Sequence, residues 1–260
     1  MSTSVQYETQ DGIATITFNK PESLNALDEE IGLNFKKKIE EIKKDFSIRV
    51  LIITGAGRAF SSGGNLDMLE LRTQKSVAEN KKELKKFYQF FLSIKTLSIP
   101  VIAAINGAAV GAGFCLALAC DLRYAIATAP MGANFSKLGL APGMGGTYLI
   151  TKLAGPVRAA EILYFGELFT AQQALDWGLI NEVVEENLLE HVQKIAKKIA
   201  SNGPISISKI KKGIQMAETQ SLETLFDYDS QSQAQCFTTQ DIKEGIAAVR
   251  EKRPPHFKGK

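Results

Sequence analysis

The sequence predicts an α/β fold, and three observations carry that prediction. Apolar runs of strand length alternate with amphipathic, helix-period patterns through the first half of the chain. Two of these runs lead directly into glycine-rich stretches that open helix-like patterns. After Gly146 the character changes, and helical patterns succeed one another almost to the C-terminus.

Taken in order, residues 5–18 read as two short strands around Asp11-Gly12, a hairpin signal. Residues 28–44 read as a helix with Ile31, Phe35, Ile39 and Ile42 on one face and lysines opposite. Val50-Leu51-Ile52-Ile53-Thr54 reads as a strand and runs on to Ala59-Phe60-Ser61-Ser62-Gly63-Gly64-Asn65-Leu66. A second amphipathic helix covers 77–94, with Leu84, Phe87, Phe91 and Ile94 inward. Pro100-Val101-Ile102-Ala103-Ala104-Ile105 is the next strand, followed by Asn106-Gly107-Ala108-Ala109-Val110-Gly111-Ala112-Gly113-Phe114. A helix is predicted over 112–118 and a strand over 121–127. Helices are then predicted over 148–153, 159–165, 171–178, 188–201, 205–217 and 222–235. No internal repeat or low-complexity segment is visible.

The composition narrows the function classes. A chain of 260 residues can bury a substantial core, and 45% apolar with 23% charged residues is ordinary for a soluble protein. A formal charge of +3 is too small to argue for nucleic acid or a membrane surface as partner. Cys115, Cys120 and Cys236 are odd in number and lack metal-ligand spacing, so they read as reduced thiols of a cytoplasmic protein. The N-terminal stretch MSTSVQYETQDG has neither a basic nor an apolar signal region. The most apolar segment, 100–119, contains several glycines and is followed at once by Asp121 and Arg123. It reads as a buried strand and core helix rather than a membrane span.

The two glycine stretches carry the chemical suggestion. At a strand-to-helix junction the first backbone N–H groups have no partner, and the positive end of the helix dipole lies behind them. Two such groups aimed at one point would form an oxyanion hole, which stabilises a carbonyl oxygen as it gains negative charge. Competing motifs are weak. Gly111-Ala112-Gly113 followed by Leu116 misses the third glycine of a dinucleotide fingerprint, and no metal-ligand cluster occurs. Cys115 has apolar neighbours in sequence and reads as core filling rather than as a nucleophile. His191 and His256 have no Ser or Asp partner nearby in sequence and read as surface residues.

The same stretches resemble the crotonase (enoyl-CoA hydratase/isomerase) superfamily along nearly the whole chain. The further matching pieces are Phe18-Asn19-Lys20-Pro21 leading to Asn25-Ala26-Leu27, and Ala119-Cys120-Asp121-Leu122-Arg123. They continue with Leu138-Gly139-Leu140-Ala141-Pro142-Gly143-Met144-Gly145-Gly146-Thr147, the stretch 171–184, and the closing Glu251-Lys252-Arg253-Pro254-Pro255-His256-Phe257. The resemblance implies a spiral of ββα repeats over 1–200 and a C-terminal helical trimerisation segment over 201–260, giving a homotrimer or hexamer. It implies an acyl-CoA thioester as substrate, with coenzyme A part of that substrate and no tightly bound cofactor or metal. Acyl carrier protein is the alternative tether.

Carried over residue by residue, the oxyanion donors fall on the backbone N–H groups of Gly64 and Ala112. Coenzyme and substrate contacts fall near Asn25, Ala26 and Leu27 and along Ser62, Gly63, Asn65 and Leu66. The acid/base positions depart from the superfamily. Hydratases of this kind use two glutamates, and the corresponding residues here are Cys115 and Phe135; the carboxylate slot of some isomerases is Gly143. Phenyl and glycine exchange no proton, and a thiol aligns water poorly, so two-glutamate hydration is not expected. The polar residues weighed as replacements are Asn65, Asp67, Glu70, Asn134, Ser136 and Lys137, with Glu70 the carboxylate singled out as catalytic.

The sequence therefore predicts an enoyl-CoA hydratase/isomerase-family enzyme, a lyase or isomerase, that stabilises a thioester enolate. One alternative is decarboxylation of a malonyl-type thioester, suited to an apolar Phe135/Cys115 pocket. That branch carries a histidine where this chain has Thr238 or Thr239. The other alternative is an acyl-CoA-binding subunit without chemistry.

Overall fold

The hairpin signal at Asp11-Gly12 is met by two residues at positive φ that turn the chain between the first two strands. The computed structural model describes residues 3–260. Met1 and Ser2, the start of the N-terminal stretch considered above, lie outside the described residues. In chain order, β1 (Val5–Gln10), β2 (Ile13–Phe18), α1 (Glu29–Lys44), β3 (Val50–Gly55) and β4 (Ala59–Ser61) come first. They are followed by α2 (Leu66–Thr73), α3 (Val77–Phe91), β5 (Val101–Ile105), β6 (Ala108–Val110) and α4 (Ala112–Ala119). Next are β7 (Leu122–Ile126), β8 (Met131–Gly132), α5 (Gly146–Phe165), α6 (Ala171–Asp176) and β9 (Glu182–Val184). Helices α7 (Leu188–Ala200), α8 (Pro204–Ala217), α9 (Leu222–Phe237) and α10 (Gln240–Glu251) complete the chain.

A six-stranded sheet runs β1-β2-β3-β5-β7-β9, antiparallel only between β1 and β2, and a three-stranded parallel sheet runs β4-β6-β8. Three successive units follow one plan. β3, β5 and β7 enter the large sheet, β4, β6 and β8 enter the small one, and helices return the chain. This is the expected ββα spiral. Its second strands have three, three and two residues, too short to show a period in sequence.

The continuous apolar run of β3 is explained by burial on both faces. Leu51 and Ile53 join a core with Phe18, Phe35 of α1 and Phe91 of α3, whereas Val50 and Ile52 face Val192 and Ala196 of α7. A parallel strand covered by helices on both sides needs no polar face. The apolar segment 100–119 forms β5, β6 and α4, and α4 is eight residues long and buried throughout. No helix among the described residues is long and apolar enough to cross a membrane.

The structure differs from the sequence reading in several places. Two expected helices, 148–153 and 159–165, are parts of α5, broken at Gly155 (φ 75°) just before Pro156. The helix expected over 77–94 ends at Phe91 and tightens into a 3₁₀ segment, Leu92–Thr96. α2, α10 and β9 come without having been singled out. α10 is capped by Thr239, whose hydroxyl accepts the Ile242 amide. α8 is tied to the core by Lys211, 7% exposed, whose Nζ lies 2.7 Å from Asp121 Oδ2 and donates to the Ile99 carbonyl. The closing tail folds back on α10, where Arg253 forks onto the Glu244 carboxylate and Asp241 accepts the Lys258 and Gly259 amides.

Candidate active site

Asn25 organises the entrance to the first glycine loop. It is fully buried at φ 54°, accepts the Lys20 amide, and donates to the carbonyls of Ala56 and Ala59. Its side chain is thereby committed to holding the chain, and its carbonyl accepts Ser61 Oγ at 2.8 Å. The next residues pair with the loop itself. Leu27 donates to the Gly63 carbonyl at 2.6 Å and accepts the Asn65 amide at 3.1 Å, while Ser62 donates to Leu24. Asn65 then caps α2, its side chain accepting the Met68 amide at 3.0 Å. Ala26 and Ser62 are half-buried, and Leu66 is exposed.

The two glycine loops pack directly on one another. A Cβ on Gly63 (φ +100°) would lie 2.7 Å from the Val110 carbonyl oxygen and 3.4 Å from the Ala112 nitrogen. A Cβ on Gly113 would meet the Ser61 carbonyl oxygen at 2.5 Å. Only glycine permits so close a backbone approach. The Gly63 amide is used internally, on Ser61 Oγ at 3.2 Å. The Gly64 amide, and the Ala112 amide at the first position of α4, find no acceptor among the described residues. The packing thus brings together two loops that each carry one unpaired N–H, one of them at the N-terminus of a buried helix.

The side chains near the N-terminus of α4 are apolar or neutral. Cys115 is fully buried one turn beyond Ala112, and burial pushes its thiol up to about 12. A Cβ on Gly146 would lie 2.8 Å from Cys115 Sγ, 3.5 Å from Pro142 and 3.8 Å from the Phe135 ring. Cys115, Phe135 and the loop 142–146 therefore share one small region. Such a thiol stays protonated and is no nucleophile.

Gly143 belongs to the same loop and is covered by Tyr88 of α3, whose hydroxyl would lie 2.7 Å from a Cβ at 143. Glu70 and Asp67 lie on α2 with exposed side chains. Asn134 is half-buried with Oδ1 facing Gly111, and Ser136 and Lys137 are exposed. His256 is exposed. His191 is half-buried on α7, beneath the opposite face of the large sheet, with Nε2 3.2 Å from Glu182. Thr238 and Thr239 serve the α9–α10 junction. Among the described residues no group of three or more His, Cys, Asp or Glu could hold a metal ion.

Two residues of this region escaped the sequence reading. Ser61 is a buried tie between the Asn25 carbonyl and the Gly63 amide, and a serine pair before two glycines gives no signal of which hydroxyl does that. Tyr88 sits beside Phe87 in an aromatic-rich helix face, where it reads as core.

Comparison with known proteins agrees with this architecture. Residues 8–260 match the family model described as Enoyl-CoA hydratase/isomerase. The chain is 35% identical over 253 residues to 1,2-epoxyphenylacetyl-CoA isomerase of Escherichia coli strain K12, covering 96% of this chain and 97% of that protein. It is 33% identical over 252 residues to the crotonyl-CoA hydratase of Syntrophomonas wolfei, covering 96% of each. Among solved structures, an enoyl-CoA hydratase from Bacillus anthracis superposes with a TM-score of 0.93 at 33% identity, covering 99% of this chain and 100% of that one. A match over nearly the full length, in sequence and in fold together, places this chain in the enoyl-CoA hydratase/isomerase family.

Proposed function

We propose that this enzyme binds an acyl-CoA thioester with its carbonyl oxygen between the Gly64 and Ala112 amides and stabilises the enolate that forms there. The observation that carries the reading is the pair of unpaired N–H groups on two loops packed against each other at Gly63 and Ala112. Preorganised donors of this kind cost no reorganisation when charge develops, and α4 adds the positive end of its dipole. The coenzyme lies along Ala26, Leu27 and Ser62 to Leu66, and the Asn25 side chain, committed to Lys20, Ala56 and Ala59, does not meet it. Assembly as a trimer or a dimer of trimers belongs to the same reading. Leu222, Phe226 and Phe237 stand exposed on α9 and would be covered by it.

The reaction run on that enolate is narrowed by what lines the region. Positions 115, 135 and 143 offer a neutral thiol, a phenyl ring and no side chain. That favours steps which need no carboxylate base. Carbon dioxide loss from a malonyl-type thioester is one such step, and apolar surroundings favour it by desolvating the departing carboxylate. The test is mass spectrometry of a thioester panel in deuterated water, comprising a 2-enoyl-, a 3-enoyl- and a malonyl-type acyl-CoA. Water addition, deuterium uptake or carbon dioxide loss on any member supports the reading and names the reaction. Unchanged masses across the panel overturn it, and an acyl-CoA still bound by calorimetry would then favour a binding subunit without chemistry.

A further inference from the structure

One side chain brings a titratable proton into the region around Cys115 and the loop 142–146, and it belongs to neither glycine loop. Tyr88 projects from the last turns of α3 with its ring laid on the Gly143 backbone. A Cβ there would meet Oη at 2.7 Å, Cζ at 3.2 Å and Cε1 at 3.4 Å. The phenol therefore fills the space a side chain at 143 would need. Gly143 and Gly146 are joined by a backbone hydrogen bond of 2.8 Å, and Gly146 faces the Cys115 thiol one turn from Ala112. The Tyr88 hydroxyl has no hydrogen-bond partner among the described residues, although the residue is half-buried. Packing alone would be served equally by phenylalanine, as at Phe87, Phe90 and Phe91 on the same helix. The hydroxyl oxygen is not among the buried polar atoms left without a partner, so it opens to whatever occupies the space beside Gly143, water or a ligand.

We propose that Tyr88 is the proton donor of this site, its phenol O–H facing the acyl chain of the thioester held at Gly64 and Ala112. The inference rests on the enolate reading above and adds the acid to it. In the step, the enolate electron pair takes the phenol proton at the α-carbon. The O–H bond breaks, a C–H bond forms, and the negative charge moves from the thioester oxygen to the phenolate oxygen. The phenolate then regains a proton from solvent.

Two features suit a donor rather than a base. Burial raises the Tyr88 phenol, with the Cys115 side chain acting in the same direction, so it is held protonated at neutral pH. The Arg72 guanidinium opposes that rise and would stabilise the phenolate once formed. Arg72 is 14% exposed, engages Glu83 through one terminal nitrogen, and keeps a buried Nε without a partner.

The test compares the wild type with Tyr88→Phe on whichever panel thioester the wild type turns over, alongside acyl-CoA affinity by calorimetry. A positioned acid contributes about 10²–10⁴-fold, so kcat should fall at least about 100-fold while KM and affinity stay within about threefold. Gly143→Ala gives a second, independent variant, because its Cβ displaces the phenol. It should lower kcat as well, and should add little when combined with Tyr88→Phe. A Tyr88→Phe enzyme with kcat within threefold of wild type overturns the assignment, and so does a loss confined to KM. If the wild type turns over no panel member, the enolate reading itself falls, and the acid with it.

Discussion

The glycine loops and the C-terminal helices are held by different physics. Around 61–64 and 110–113 the contacts are backbone against backbone, made possible by missing side chains, and α4 carries no charge and no exposed residue. From 204 onward the attachments are charged side chains: Lys211 on Asp121, Arg253 on Glu244, and Asp241 on the tail amides. The first region holds backbone close to backbone, and apart from the Ser61 hydroxyl its side chains serve mainly by being small. The second is fastened by ion pairs and should respond to acid and to single charge removals.

The sharpest way to break that contrast is to delete a donor without disturbing the packing. Ala112→Pro removes one N–H at the first position of α4, where helices tolerate proline. If the main chain does the chemistry, kcat falls about 10²–10³-fold, about 3–4 kcal/mol of barrier, with circular dichroism and thermal midpoint near wild type. Unaltered turnover in a folded variant would remove Ala112 from the site.

The second prediction concerns stability. Burial lowers the pKa of the Lys211 ammonium despite its partner at 2.7 Å, so the cost of desolvation outweighs the attraction of Asp121. Lys211→Met then leaves the Asp121 carboxylate with only the Val101 amide and strands the Ile99 carbonyl at the α8 junction. It should cost about 3 kcal/mol in urea unfolding, the lower end for breaking a buried pair, because Asp121 keeps a quarter of its exposure. Turnover per folded molecule should be unchanged. A loss of kcat instead would mean that the C-terminal helices reach into the chemistry.

The smallest effect is expected at the tail. The Arg253 guanidinium and the His256 amide hold the Glu244 carboxyl down at about 2, below its ordinary 4.5. A carboxyl depressed on folding stabilises the folded state above its unfolded pKa, and that contribution is lost as pH falls from about 4.5 through about 2. Protection of the His256 amide, its exchange rate referred to the intrinsic rate at each pH, should therefore fall across that window, and Glu244→Gln should lower it at neutral pH. Exchange that ignores both changes would show that the tail is held by packing alone.

Much of the fold was legible because it rests on local pattern. Ile31, Phe35, Ile39 and Ile42 repeat at helix spacing, and all four are buried. Asp11-Gly12 turned where such a pair turns. β4, β6 and β8 left no trace, since strands of two or three residues hold no period. α5 was read as two helices because Gly155-Pro156 punctuates it, yet packing carries the helix on beyond the break.

In the candidate site the division is similar. The glycines of both loops stand out in sequence because only glycine allows backbones so close, and the family follows from them and the flanking motifs. Asn25 was read as a contact residue from its place in a motif; only the structure shows its side chain spent on Lys20, Ala56 and Ala59. That Cys115, Phe135 and Gly143 share one region, and that Tyr88 enters it from α3, could not be read from spacing. The sequence by itself determined the alternation of elements, the two loops and the absence of carboxylates at positions 115, 135 and 143. The tertiary structure alone decided which amides stay unpaired and which hydroxyl fills the space at Gly143. Local pattern depends on neighbours along the chain, whereas unpaired groups and filled spaces depend on residues tens of positions apart, brought together only by folding.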